Sequence, residues 1–287
     1  MRDYFNILKI IAVRLLAHLR TWLVACLLLS NLCYAAQLDI PGPTGSGLFG
    51  TSVTVLPNGN FVVTDPGFDA PGPIGDVGAV YLYAPNGTLI STLTGSQGND
   101  QVGSAGITVL ANGNFVARSV NWNGSRGAAT WGSASTGVSG VVSQSNSLVG
   151  GSASDQVGGS VVTALSNGNY VVRSSSWDNP APVTTNSGAI TRGIGTGGTS
   201  GLISTNNSVL GTAASGGANM VFSYDLTREH LIVGRRNDNL VTIFSDETAP
   251  SITPAVGVTR QAGSAVSNST IATVSDSGQS AGSLVVT

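Results

Sequence analysis

VLPNGNFVV at residues 55–63 returns as VLANGNFVA at 109–117 and as TALSNGNYVV at 163–172. Each copy sets Asn-Gly between two runs of apolar, β-branched and aromatic residues. That is the strongest short-range signal for a β-hairpin, with both turn residues expected at positive φ. Aligned on the leucine before each turn, Leu56, Leu110 and Leu165 stand 54 and 55 residues apart, and a degraded fourth copy, DLTREHLIV, follows at Leu226 after 61. A period of this size marks a repeated supersecondary unit.

The signals within a unit are β throughout. In unit 1 SVTVL (52–56) and NFVVT (60–64) flank the turn, and GAVYLY (78–83) and GTLISTL (87–93) supply two more strands around Pro85-Asn86-Gly87. Unit 2 offers GITVL, NFVAR, GAATW and GVVSQ; unit 3 offers SVVTAL, NYVVR, GAITR and GLIST; unit 4 offers NMVFSY, HLIVG and NLVTIF and stops one strand short. Four antiparallel strands per unit is the make-up of a propeller blade. The chain is therefore expected to be all-β, a small β-propeller of about four blades over residues 37–246. The segment QLDIPGPTG (37–45) is expected to close the ring as the missing outer strand, which would leave no exposed sheet edge. An open stack of repeats is the competing arrangement.

The residues carry a resemblance. FGTSVTVLPNGNFVVTDPGFD followed by GAVYLY resembles the FG-GAP repeat of integrin-type propellers, through Phe49-Gly50 and Gly78-Ala79-Val80-Tyr81. The DQVG steps at 100–103 and 155–158, together with NGN[FY]VV, resemble a repeat found in tandem in large bacterial surface and haemagglutinin-like proteins. The resemblance covers roughly residues 46–245 and implies a calcium loop of alternating carboxylates at the hairpin, since a hard cation takes several oxygen ligands. The three loops here, 57–60, 111–114 and 166–169, hold no carboxylate, so they read as turns, and no metal or cofactor is expected. Asp65, Asp69 and Asp76 form the nearest approach to an acidic cluster.

A second feature recurs with the same spacing: Phe68-Asp69, Trp122-Asn123 and Trp177-Asp178, each an aromatic followed by Asp or Asn just past the second strand. Two roles are open to it. The rings can plug gaps between neighbouring units where Gly-rich strands leave space, or they can form a stacking platform with polar neighbours for a sugar or an extended partner. Arg118 and Arg173 also share one repeat position, fitting a solvated or unit-bridging role. GIGTGG at 193–198 matches a dinucleotide fingerprint as a string, but no helix-forming run follows it.

Composition narrows the function classes. The 287 residues include 39 Gly, and only 9% are charged while 41% are hydrophobic, which fits a turn-rich β protein and not a disordered polymer. Residues 1–36 carry Arg2, Lys9, Arg14 and Arg20, then an apolar run from Trp22 and the small pair Ala35-Ala36. They read as a signal peptide, with a retained anchor or a lipidated Cys26 as alternatives. Both cysteines, Cys26 and Cys33, lie in that segment, so no disulfide framework or thiol chemistry is expected beyond it. After Ala36 there are 8 basic residues, all Arg, against 13 acidic ones. That balance argues against nucleic acid, which demands a basic face. The single later histidine, His230, sits in an apolar strand, so a nucleophile–base pair has little to draw on.

From Asp246 the composition shifts, and residues 250–287 resemble the start of a bacterial immunoglobulin-like module, too short at 38 residues for a sandwich of about 100. The expected organisation is thus 1–36 signal peptide, 37–246 propeller, and 247–287 linker and incomplete module. The expected function is a secreted or cell-surface, non-enzymatic binding or adhesion module for a carbohydrate or extracellular protein, with no membrane association after cleavage. A secreted glycosidase-type hydrolase and a purely structural stalk spacer are the rivals.

Overall fold

The computed structural model describes residues 6, 9, 11–20, 37–72 and 74–245, with the backbone of 251–254 and 272–275. Residues 11–20 are helical, and no helix among the described residues is long and apolar enough to cross a membrane. The signal-peptide reading of 1–36 falls largely outside the described residues. So does the immunoglobulin-like reading of 247–287, where a pair of short strands, Ser251–Pro254 and Ala272–Ser275, meets antiparallel.

Unit 1 runs β1 (Ser52–Val55), β2 (Phe61–Asp65), β3 (Ala79–Tyr83) and β4 (Leu89–Thr94), an antiparallel meander. Its hairpin differs in detail from the expected turn. The Gly59 amide donates to the Leu56 carbonyl and the Leu56 amide to the Asn60 carbonyl, and only the glycine has positive φ, at 88°. That is a type I turn continued by a glycine bulge, a geometry for which Pro57 supplies the fixed φ of the first corner. Gly113 and Gly168 repeat it, both at φ 89°.

Unit 2 comprises β5 (Ile107–Val109), β6 (Phe115–Ser119), β7 (Ala128–Gly132), β8 (Gly140–Val141) and β9 (Ser147–Val149). Unit 3 comprises β10 (Val161–Ala164), β11 (Tyr170–Ser174), the small hairpin β12 (Asn179–Pro180) and β13 (Val183–Thr184), then β14 (Ala189–Gly193), β15 (Gly201–Leu202) and β16 (Ser208–Leu210). Here the expected fourth strands are corrected. The runs GVVSQ and GLIST do not close their own sheets; β9 and β16 do. Instead β8 crosses back to pair in parallel with β4, and β15 pairs in parallel with β9, so each adds a fifth strand to the preceding unit. Side-chain turns fix this route. Asn146 accepts from the Ser143 amide and donates to the Val141 carbonyl, and Asn207 does the same with Ser204 and Leu202.

Unit 4 is β17 (Met220–Asp225), β18 (His230–Arg235) and β19 (Leu240–Phe244), three antiparallel strands, with the degraded hairpin at Leu226 in place. Closure by residues 37–45 is not what the structure has. That segment contains no strand, and among the described residues β19 pairs only with β18. Pro41 and Pro43 explain the failure, since each removes an amide donor from a ladder that a closing strand would need.

The core lies between units. Along β2, β6 and β11 alternate side chains face opposite ways. Val62 and Leu93 of unit 1 pack with Phe115 and Ala117 of unit 2. Val116 and Leu148 of unit 2 pack with Tyr170 and Val172 of unit 3. Val171 and Val209 of unit 3 pack with Leu231 and Val233 of unit 4. The sheets of units 2 and 3 are thus each sandwiched between two neighbours, and no unit could bury its faces alone.

Candidate functional site

The aromatic–acid pairs sit at these joints. The Trp122 ring is 7% exposed inside the cluster shared by units 1 and 2, and Trp177 is 2% exposed inside the one shared by units 2 and 3. Neither indole presents a face to solvent, so the two tryptophans form no stacking platform; they plug the joints. Phe68 is half-buried and meets Tyr81 edge-on, with ring centroids 6.4 Å apart.

The polar partners hold loops. Asp69 Oδ1 accepts from the Asp76 amide at 2.8 Å, and Asp178 Oδ1 accepts from the Asn186 amide at 2.7 Å, each closing the loop ahead of the third strand. Asn123 Oδ1 accepts a long bond of 3.4 Å from Gln97 Nε2. Asp65 is fully buried and accepts from the Leu48 amide at 2.8 Å. Among the described residues no group of His, Cys, Asp or Glu converges in a way that could hold a metal ion.

The Asn-Gly-Asn loops prove to be clamps as well as turns. Asn58 and Asn60 both donate through Nδ2 to the carbonyl of Ala134 in unit 2, at 2.8 Å each. Asn112 and Asn114 do the same to the carbonyl of Gly195 in unit 3, at 2.8 and 2.9 Å, and Trp131 Nε1 joins them at 2.9 Å. The gripped residue is also held from its own side: the Ala134 amide donates to Asn114 Oδ1 and the Gly195 amide to Asn169 Oδ1. One residue is therefore fixed, by its carbonyl and its amide, between the hairpin loops of two successive units. Meanwhile the first asparagine of each loop keeps its own turn, Oδ1 accepting the amide two residues on at 3.1 Å.

A second clamp uses the DQVG step. Asp100 Oδ2 accepts from the Ser96 and Gln97 amides while Oδ1 reaches the Asn123 amide of unit 2 at 2.8 Å. Asp155 Oδ2 accepts from the Ser152 amide and Oδ1 from the Asp178 amide of unit 3 at 2.9 Å. Both carboxylates are essentially inaccessible. Burial pushes the Asp155 carboxyl up, against the amide bonds that favour its charged form and with the nearby Asp178 adding to the rise. Arg118 and Arg173 reach the following step too: Arg118 Nη1 donates to the Gly158 carbonyl at 3.4 Å while its Nη2 bonds the Ala105 carbonyl just ahead of β5, and Arg173 Nη2 donates to the Ala218 carbonyl at 2.7 Å.

The third joint is built differently. Gly216 stands where the spacing would put an aspartate, and among the described residues the Asn167 and Asn169 side chains bond within unit 3. Instead Arg235 and Asp238 of unit 4 form a largely buried ion pair at 3.1 Å. Asp238 accepts from the Thr212 amide, and Arg235 Nη1 donates to the Leu210 carbonyl at 2.9 Å. At the first two joints the equivalent carbonyls, Thr94 and Val149, accept backbone amides from Val142 and Ile203 after the crossing strands. The guanidinium thus takes the place that the crossing strands hold at the first two joints.

Three segments, 55–104, 109–159 and 164–218, match the family model described as "Repeat of unknown function (DUF5650)", together more than half of the chain. The chain belongs to the DUF5650 repeat family. No curated protein matches it. Each matched segment begins at a clamp hairpin and ends just past the step to the next unit, so the DUF5650 repeat contains both halves of the joint chemistry. The sequence showed these clamp residues as recurring strings. What it did not show is that the partner of each side chain lies some 75–85 residues downstream, at Ala134 or Gly195, where nothing in the local pattern stands out.

The clamp makes a contrast between identical motifs. Asn112→Asp keeps the turn-forming oxygen but loses the donor to Gly195 and sets a charge against a carbonyl. It is expected to cost about 1–3 kcal/mol. Asn167→Asp, which faces no such carbonyl, is expected to stay within about 0.5 kcal/mol of wild type. Urea unfolding of the two variants side by side checks it.

Proposed function

We propose that this DUF5650 chain is an exported, non-enzymatic binding and adhesion module of a secreted or cell-surface protein, its four units acting as blades of an FG-GAP-like propeller type. The carrying observation is the division of labour within each repeat. The recurring polar and aromatic residues are consumed by the joints. The loops opened by Asp69 and Asp178 vary in sequence and project small hairpins, with Ile74 38% and Val183 86% exposed at their tips. A rigid scaffold with variable exposed loops suits recognition of a carbohydrate or an extracellular protein. Export is supported by the basic and apolar character of residues 1–36.

Glycan and extracellular-matrix arrays probed with the protein test the reading. Retention by one ligand class that falls at least tenfold in a Val183→Asp variant supports it. Turnover of a polysaccharide, abolished by a single Asp→Asn change, would replace it with the hydrolase. The buried position of Trp122 and Trp177 favours a second reading, the structural spacer, whose signature is no retention on either array.

A further inference from the structure

Among the described residues the alternation of faces leaves an exposed apolar patch at each end of the four units. In unit 4 the register sets Val221, Gly234 and Val241 in one row and Ser223, Ile232 and Ile243 in the next, all on the face turned away from unit 3. Val221, Val241 and Ile243 are 65%, 72% and 64% exposed. A terminal repeat that merely ends an array carries a polar outer face to stay soluble. This one is apolar and carries no charge in those two rows.

At the other end, Val53 and Val55 of β1 lie on the face of unit 1 turned away from unit 2 and are 61% and 68% exposed. Spacing and packing show what such residues do inside the array. Their counterparts one repeat on are Ile107 and Val109, which pack against unit 1, and two repeats on Val162, which is 7% exposed against unit 2. At the first two joints a β-branched residue on the first strand of one unit enters the apolar face of the preceding sheet, and at the third Met220, Phe222 and Tyr224 of β17 take that place. Among the described residues unit 1 shows that pair exposed beside Phe49, and unit 4 shows that face exposed.

We infer that the unit 4 face of one copy receives the Val53–Val55 face of a second copy, continuing the internal stacking head to tail. The contact is heterologous, using different patches on the two partners, and a heterologous contact that does not close on itself propagates. Apolar patches of this kind on both ends, without opposing charge, are what drives such an association. The inference does not depend on the adhesion reading.

The test is sedimentation and light scattering of the full chain across micromolar to millimolar concentration. Wild type is expected to form a concentration-dependent ladder of oligomers. Val53→Asp and Ile243→Asp, both at exposed positions and so compatible with folding, are each expected to weaken association at least tenfold. Mixing the two single variants restores a dimer but no longer species, because each then offers one intact and complementary end. An isologous contact through unit 4 would survive Val53→Asp and overturns the inference. So does a wild type that stays monomeric throughout, or association that neither substitution alters. A monomer whose stability, and not its size, responds to Ile243→Asp means that its own chain covers the face, and equally overturns it.

Discussion

Trp177→Ala is expected to lower the free energy of unfolding by about 3–5 kcal/mol, the range for deleting a large buried aromatic. The ring is 2% exposed and packed among residues of two units, so its removal opens a cavity that neither sheet can collapse to fill without shifting the joint. The loss falls on both neighbours at once because the ring packs in the cluster that units 2 and 3 share, while the backbone of the same residue, unchanged in the variant, holds the loop. The Trp177 amide donates to the Ser174 carbonyl, and its own carbonyl accepts from the Gly188 amide at the start of β14. Phe68→Ala, at the half-buried equivalent position in unit 1, is expected to cost clearly less, about 1–3 kcal/mol. Urea unfolding followed by far-ultraviolet circular dichroism measures both. A ring serving as a ligand platform would behave in the opposite way: exposed, nearly neutral for stability, and missed only in binding.

The ordering of these two costs also marks how far the sequence could be read. The repeat period, and the hairpins and first three strands of units 1–3, were legible because they rest on local signals: alternation, an Asn-Gly turn and a glycine before the third strand. The aromatic–acid pair was visible as a recurrence, yet its role depended on burial, which is a property of the neighbouring unit and not of the repeat itself. The fourth strands of units 2 and 3 went wrong for a related reason, while that of unit 1 stands as β4. GVV at 140–142 and SLV at 147–149 are both short, β-capable runs, and only the Asn146 side-chain turn together with the edge offered by β4 decides which sheet each joins. The expected closing strand over 37–45 failed on Pro41 and Pro43, which take two amide donors out of it.

The DQVG step and the glycine of the GAV, GAA and GAI strings carry the other large effect. Gly127 lies at φ 76°, just before β7, in a parallel bridge with Val157 of the step to unit 3. A Cβ there would stand 2.3 Å from the Val157 amide nitrogen and 2.5 Å from its carbonyl oxygen, backbone atoms that cannot move aside as a flexible side chain would. Gly78 meets Val102 in the same way at 2.1 Å, and Gly188 meets Gly217 at 2.3 Å, so the close approach is a property of the joint and not of one loop.

Gly113 separates the two contributions to the cost. Its φ of 89° is equally unfavourable for a side chain, but the nearest atom to an added Cβ is 3.9 Å away. Gly113→Ala therefore reports backbone strain alone, about 1–2 kcal/mol. Gly127→Ala adds the collision and pries apart the bridge in which the Val157 amide donates to the Arg126 carbonyl, so the expected cost exceeds 3 kcal/mol and approaches loss of the fold. Thermal and urea unfolding of both variants decide between contact and conformation. Equal costs for the two alanines would mean that the DUF5650 joint yields easily and that glycine stands before the third strand only for its φ. A cost at Gly127 two or more kilocalories above that at Gly113 places the constraint in the contact between repeats.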